Sequence, residues 1–141
     1  MSSKNCRVLV VDDVPDNLLL IQTFLQTEGY EVDLAADAIA ALEQMQASPP
    51  DLILLDVMMP GTNGYELTRK IRRDSTFSSI PIVLLTASIE ACRVKGLAVG
   101  ATEFIRKPVD FEELASTIER LLHRRNKQSS HRLSMSSKDY I

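Results

Sequence analysis

The stretch Leu52-Ile53-Leu54-Leu55-Asp56 decides the fold of this 141-residue chain. Four consecutive apolar residues leave no polar face, which is typical of a strand that is buried on both sides of a parallel sheet. Apolar runs of the same kind lie at Val8 to Val11 and at Ile80 to Leu85, and shorter strands are predicted at Glu31 to Ala35 and Glu103 to Ile105. The sequence therefore predicts five strands in one sheet.

Helical segments separate these strands. Pro15 opens the first helix, Asp37 caps the second, and Gly64 begins the third. A looser helix is predicted from Ile89 to Val99, and the last helix begins with a capping box at Asp110. Because parallel neighbours need crossover connections, this repeated alternation predicts an α/β fold with a parallel sheet and helices on both faces.

The length of the chain suits a single domain. We expect that domain to cover residues 1–126, and residues 127–141 to form a polar, disordered tail or linker, because the sequence beyond Asn126 has no apolar periodicity. Residues 120–141 carry 6 Lys/Arg against 1 Asp/Glu, whereas residues 1–119 carry 10 against 18. We interpret the basic end as a helix terminus and a solvated tail, so no direct contact with nucleic acid is expected.

No segment indicates a membrane or a secreted protein. The apolar runs have the length of strands and fall far short of a membrane span. Met1 to Asn5 lead directly into a strand and lack the apolar segment of a secretion signal. Cys6 and Cys92 are the only cysteines and have no metal-ligand spacing, so both are expected to be reduced thiols in a cytoplasmic protein.

Polar side chains follow four of the predicted strands. Asp12 and Asp13 follow the first strand, Asp56 the third, Thr86 the fourth and Lys107 the fifth. Each of them has an ordinary structural explanation, as a loop acid, a helix cap or a solvated charge. Ligands in open α/β sheets bind beyond the carboxyl ends of the strands, however, and all five residues are expected to meet there. Three adjacent carboxylates need a counter-charge, which a hard dication such as Mg²⁺ supplies, so the predicted site is suited to receive a dianionic group.

The chain resembles the receiver domains of bacterial response regulators over about Arg7 to Arg124. Five motifs in order carry the resemblance: Val10-Val11-Asp12-Asp13, Leu54-Leu55-Asp56-Val57-Met58-Met59-Pro60-Gly61 with Gly64, Leu84-Leu85-Thr86-Ala87, Gly100-Ala101, and Phe104-Ile105-Arg106-Lys107-Pro108. The resemblance implies a flavodoxin-like receiver fold with strand order 2-1-3-4-5.

The resemblance also implies a phosphoacceptor and a metal site. Asp56 would accept the phosphoryl group. Mg²⁺ or Mn²⁺ would be held by Asp12, Asp13, Asp56 and the backbone carbonyl of Met58, with Asp13 a more direct ligand than Asp12. Lys107 would pair with Asp56 or with its phosphoryl group. The donor would be a sensor histidine kinase or a phosphotransfer protein, and the chain would be a signalling domain that assists its own phosphorylation and dephosphorylation, not an enzyme.

A conformational switch is implied as well. Thr86 would bond a phosphoryl oxygen, and Phe104 would take the place of the aromatic switch residue, which is more often tyrosine. The peptide bond between Lys107 and Pro108 would be cis. Movement of these residues would change the surface formed by the fourth helix, the fifth strand and the fifth helix, a candidate surface for a homodimer or another partner.

Three other functions share part of this pattern. An FMN protein has the same topology but would be repelled by Asp12 and Asp13. A phosphohydrolase with an aspartyl nucleophile would carry Asp-x-Asp and a cap, which this sequence does not contain. A degenerate receiver that acts only in docking would lack site residues that are present here. We expect no output domain, and the chain is either a stand-alone regulator or a receiver from a longer hybrid protein.

Overall fold

The structure is a computed structural model that describes residues 5–59 and 63–139, with side chains for 5–59 and 63–125. One parallel sheet contains β1 (Arg7–Val11), β2 (Glu31–Ala35), β3 (Leu52–Asp56), β4 (Ile82–Thr86) and β5 (Glu103–Arg106). The strands lie in the order β2-β1-β3-β4-β5. The helices between and after them are α1 (Pro15–Thr27), α2 (Ala38–Ala47), α3 (Gly64–Arg73), α4 (Ile89–Val99) and α5 (Phe111–Asp139). The predicted fold class and strand order are confirmed.

The core consists of two apolar layers, one on each face of the sheet. Alternate residues of the same strand enter different layers, because successive side chains of a strand point to opposite faces. Leu9, for example, packs with residues of α2, α3 and α4, while its neighbour Val10 packs with residues of α1 and α5. All of β3 and β4 is buried, which explains why these strands have no polar face in the sequence.

The residues predicted to start three of the helices lie at the helix starts in the structure. Pro15 occupies the first turn of α1. Asp37 caps α2 by accepting a hydrogen bond from the backbone N–H of Ala40 at 2.8 Å. The side chain of Asp110 accepts from the N–H groups of Glu112 and Glu113 at the start of α5, at 2.9 and 3.3 Å.

Two boundaries differ from the sequence prediction by two residues or more. Strand β4 begins at Ile82 instead of Ile80, because the N–H of Ile80 closes a turn on Phe77 and Pro81 has no N–H to give to a ladder. Helix α5 runs through Asp139, beyond the predicted end near Asn126. Polar residues such as Lys, Arg and Gln favour helices almost as well as Leu does, so a lack of apolar periodicity does not end a helix. A domain boundary at residue 126 stays a prediction.

None of the helices in the described part of the chain is both long and apolar enough to cross a bilayer.

Candidate functional site

Three acidic side chains meet at the carboxyl edge of the sheet, as predicted. One carboxylate oxygen from each of Asp12, Asp13 and Asp56 lies within 4.8 Å of the others. β1 and β3 are neighbours, with Val11 opposite Leu55, so the residues that end them are side by side. Asp12 and Asp56 are 0% and 3% exposed, which is unusual for carboxylates and raises the energetic cost of their charge.

Asp12 is held in place by three groups of the chain. Its Oδ1 accepts from the N–H of Val14 at 2.9 Å. Its Oδ2 accepts from the side-chain amide of Asn17 at 3.3 Å and lies 3.9 Å from Lys107 Nζ. These contacts compensate for the lost hydration of a fully buried carboxylate.

Lys107 places a cation beside Asp56. Its Nζ lies 3.3 Å from Asp56 Oδ1, and the same oxygen accepts from the N–H of Met58 at 3.2 Å. The backbone N–H of Lys107 donates to the carbonyl of Thr86 at 2.8 Å, which extends the pairing of β4 with β5 up to the site. The following peptide bond, Lys107-Pro108, is cis, as the resemblance implied.

The pKa of Asp56 is raised above its ordinary value. Burial is the main cause, and the charge of Asp12 adds to it. The ammonium of Lys107 and the N–H of Met58 oppose the rise without cancelling it. The ionised form of Asp56 is therefore disfavoured in the absence of a further positive charge.

Thr86 ends β4 beside this group, and its hydroxyl has local partners. Its Oγ1 donates to the carbonyl of Ser88 and accepts from the N–H of the same residue, both at 3.2 Å. Ser88 in turn caps α4 by accepting from the N–H of Ala91 at 3.3 Å. A group that took over the hydroxyl of Thr86 would therefore act on the residue that caps α4.

Phe104 packs beneath α4 and is partly buried in the layer that α4 covers. Gly96 of α4 leaves the space for its ring, since a Cβ at this position would lie 2.4 Å from Phe104 Cε1. The guanidinium of Arg93 lies 5.9 Å from the ring centroid. The sequence did not point to Gly96, although an isolated glycine within a helical pattern is a signal of close packing.

Two further residues of the site escaped the sequence interpretation in part. Asn17 lies in the first turn of α1, and its side-chain amide donates to Asp12 Oδ2, a contact that the sequence does not indicate. Gly64 begins α3, as predicted, and a Cβ there would lie 2.7 Å from the carbonyl oxygen of Asp56, so α3 begins in direct contact with the end of β3. Met58 is 75% exposed next to the acids. Pro60 and Gly61 of the quoted motif lie outside the described residues.

The donor set fits a divalent cation that prefers oxygen ligands. Three carboxylates converge, two of them buried, and within the described residues one ammonium, that of Lys107, contacts the group. One positive charge against three negative charges leaves a net charge of about −2, which matches a dication.

Comparisons with known proteins agree with this geometry. Residues 8–119 match the response regulator receiver domain family. The response regulator PleD of Caulobacter vibrioides is 45% identical over 107 residues, which cover 75% of this chain and 24% of PleD. Among solved structures, CheY4 of Vibrio cholerae has a TM-score of 0.78 and 38% identity, and the match covers 84% of this chain and 99% of CheY4. The chain spans between a quarter and about half of the first curated relatives that it matches.

A third relative was solved with a metal. The receiver domain of the sensor histidine kinase PA1611 from Pseudomonas aeruginosa has a magnesium ion coordinated in its active-site cleft. It has a TM-score of 0.78 and 32% identity, and the match covers 84% of this chain and 98% of that domain. With a family match over most of its length and the same fold in its relatives, the chain belongs to the response regulator receiver domains.

Proposed function

We propose that the chain accepts a phosphoryl group on Asp56 and passes the signal on through its surface. The observation that carries the proposal is the meeting of Asp56 with two other carboxylates within 4.8 Å and with Lys107 Nζ at 3.3 Å. A lone buried carboxylate would destabilise the fold. The cluster of three carboxylates and one ammonium is instead arranged to bind a dication and an incoming dianion.

Asp12, Asp13, Asp56 and the backbone carbonyl of Met58 are the groups proposed to hold Mg²⁺. The magnesium in the PA1611 receiver domain supports this choice. When bound, the metal supplies positive charge that neutralises phosphoryl oxygens during transfer. Asp13 is the most exposed of the three acids, and within the part of the chain that the structure describes its side chain has no hydrogen bond or salt bridge that a hydrated ion would displace.

The proposed reaction moves a phosphoryl group from a phosphohistidine to Asp56. A bond forms between a carboxylate oxygen of Asp56 and phosphorus while the N–P bond of the donor breaks. The electron pair of that bond stays on the imidazole, which then takes up a proton. Lys107, already 3.3 Å from Asp56 Oδ1, is positioned to pair with a phosphoryl oxygen, and positioning with charge neutralisation is what this transfer requires.

The proposed switch starts at Thr86. Within the described residues its hydroxyl bonds locally, to Ser88, so it can turn and donate to a phosphoryl oxygen at the cost of two long hydrogen bonds of 3.2 Å. Ser88 would then lose a partner at the start of α4, the helix that covers Phe104. A shift in the population of α4 and Phe104 conformers would follow, and the α4, β5 and α5 surface would change.

A sensor histidine kinase or a phosphotransfer protein is the proposed donor. An apolar hollow of about 170 Å³ lies next to the site and includes Leu20, Pro108, Val109 and Phe111, with Lys107 at its edge. Leu20 is 57% exposed on α1, so a helix that presents a phosphohistidine could bury apolar area here. Homodimerisation through the α4, β5 and α5 surface stays a prediction, for which the exposed Val94 and Leu97 offer apolar area.

The test is phosphorylation by acetyl phosphate with Mg²⁺, measured by intact-protein mass spectrometry. The wild type should gain one phosphoryl group, and Asp56→Asn should gain none. Asp51→Asn is the matched control, because Asp51 directly precedes β3 at its other end and the asparagine keeps an acceptor for the N–H of Arg7. Equal phosphorylation of wild type and Asp56→Asn would refute the assignment of Asp56.

A further inference from the structure

A groove between α3 and α4 lies apart from the acidic cluster. It encloses about 430 Å³, with Tyr65, Arg69, Lys70 and Arg73 on the α3 side and Lys95 on the α4 side. This volume falls within the range of roughly 300–1,000 Å³ that is usual for small-molecule sites. Its residues contribute nothing to the proposed phosphorylation chemistry.

The groove is strongly cationic although the chain is acidic. Four cationic side chains and one carboxylate, that of Glu66, line it, while the whole chain has a net charge of −3. Within the described residues, none of the four cations forms a salt bridge. Arg69 and Arg73 are also four residues apart on one helix, where like charges repel each other. An anion between them would remove that repulsion.

Helix chemistry explains only part of this charge. The dipole of α3 stabilises cations in its last turn, which accounts for Lys70 and Arg73. It does not account for Lys95, which lies in the middle of α4 with its ammonium 4.9 Å from the ring centroid of Tyr65 on the opposite wall. Cations from two helices thus face one concave space.

We propose that this groove binds a small phosphate-bearing anion of the pyrophosphate or nucleotide polyphosphate class. The planar guanidinium groups of Arg69 and Arg73 are suited to pair with phosphate oxygens through two hydrogen bonds each. Lys95 closes the site from α4. When its ammonium turns to the phosphate, the ring face of Tyr65 becomes available to stack on a nucleotide base. The concave shape and small volume favour such a ligand over an acidic protein segment, which needs a broader surface.

The test is a titration of the full chain with inorganic pyrophosphate, followed by amide chemical shifts and by calorimetry. The buffer contains no divalent metal and no phosphodonor, so the acidic cluster repels the probe and the result is independent of the role of Asp56. We expect saturable shifts within residues 63–73 and 92–99. Arg69→Gln with Arg73→Gln should weaken binding by at least about tenfold, since hydrogen bonds to charged groups are lost.

A matched double variant separates a site from general electrostatics. Arg93→Gln with Arg124→Gln removes the same charge from exposed positions outside the groove and should change affinity by less than about twofold. A second titration, with ADP, distinguishes a nucleotide from free polyphosphate as the ligand. Tighter binding of ADP than of pyrophosphate, lost in Tyr65→Leu, supports a nucleotide, and equal binding supports free polyphosphate.

Two results would overturn the proposal. Chemical-shift changes that do not saturate would show diffuse charge attraction without a site. An affinity that decreases equally in the two double variants would show the same. A response to an acidic peptide such as hexaglutamate, without any response to pyrophosphate or ADP, would make the groove a protein-docking surface instead.

Discussion

Replacing Gly96 by alanine tests how α4 is fitted onto Phe104. Two effects of opposite sign compete. Alanine in a helix interior is favoured over glycine by about 1 kcal/mol. Its Cβ, however, would lie 2.4 Å from Phe104 Cε1, 2.9 Å from Cζ and 3.2 Å from Leu84 Cδ1. Carbon atoms prefer separations of about 3.5–4.0 Å, so the ring or the helix must move by about 1 Å.

The magnitudes predict which effect dominates. Overpacking of this kind costs about 1–3 kcal/mol, so Gly96→Ala should lower the free energy of unfolding by about 1 kcal/mol net. Removing the ring by Phe104→Ala removes the two shortest contacts and leaves the 3.2 Å approach to Leu84 Cδ1 together with the helix preference. In that background the same Gly96→Ala change should raise the free energy of unfolding by up to about 1 kcal/mol. The sign of the effect reverses.

Urea unfolding of the four proteins measures both effects and their coupling. We expect a coupling energy of about 2 kcal/mol between the two positions, and a change of 1 kcal/mol moves the urea midpoint by about 0.5 M for a chain of this size. Ala98→Gly, at an exposed position of the same helix, measures the helix preference alone. A coupling energy below about 0.5 kcal/mol would refute the reasoning, because it would mean that the ring of Phe104 yields to the new methyl group without cost.

Three further predictions concern stability, pH and metal. Arg72→Met should lower the free energy of unfolding by about 2–4 kcal/mol, because the Arg72 guanidinium donates to the carbonyls of Gly100 and Ile80 at 2.8 and 2.7 Å; a change of less than about 1 kcal/mol in urea unfolding would contradict this. Burial and the Cys92 thiol raise the pKa of Tyr65 from 10.0 to about 12. The raised pKa adds to the free energy of unfolding below pH 10, and this contribution is lost between pH 10 and about 12. Urea unfolding across that range should show the loss in the wild type and not in Tyr65→Phe. Asp13→Asn should weaken Mg²⁺ binding by about tenfold or more in calorimetry, while Asp16→Asn, outside the acidic cluster, should leave it nearly unchanged.

The strands and the site could be predicted from the sequence because both follow from burial. A strand inside a parallel sheet has no solvent face, so Leu52 to Leu55 had to be apolar throughout. Parallel strands also end at one edge, and Asp12, Asp56 and Lys107 therefore meet although they are far apart in the sequence. The roles of these residues in phosphorylation remain predictions.

Other contacts depend on the conformation of loops, which apolar periodicity does not report. Arg72 is an example, because its partners lie in the turn before β4 and in the connection from α4 to β5. Nothing in the sequence sets it apart from its neighbour Arg73, which is exposed in the groove. The side chain of Asn17 likewise reaches Asp12 only because of the way the first turn of α1 is oriented. Contacts of this type require the three-dimensional arrangement.

In the proposed acceptor, Asp56, the protonation state that folding favours differs from the one that reacts. The raised pKa of Asp56 means that folding favours its neutral form, so its contribution to stability is complete below its unfolded pKa near 3.8 and is lost as the pH rises through the folded value. Transfer requires the ionised form, because only the carboxylate is an effective nucleophile. Lys107 reduces this conflict but, facing both Asp12 and Asp56, cannot remove it. A dication would remove it, since it stabilises the ionised acids in the folded state. For this reason we expect metal binding, chain stability and phosphoryl acceptance to depend on one another in this protein.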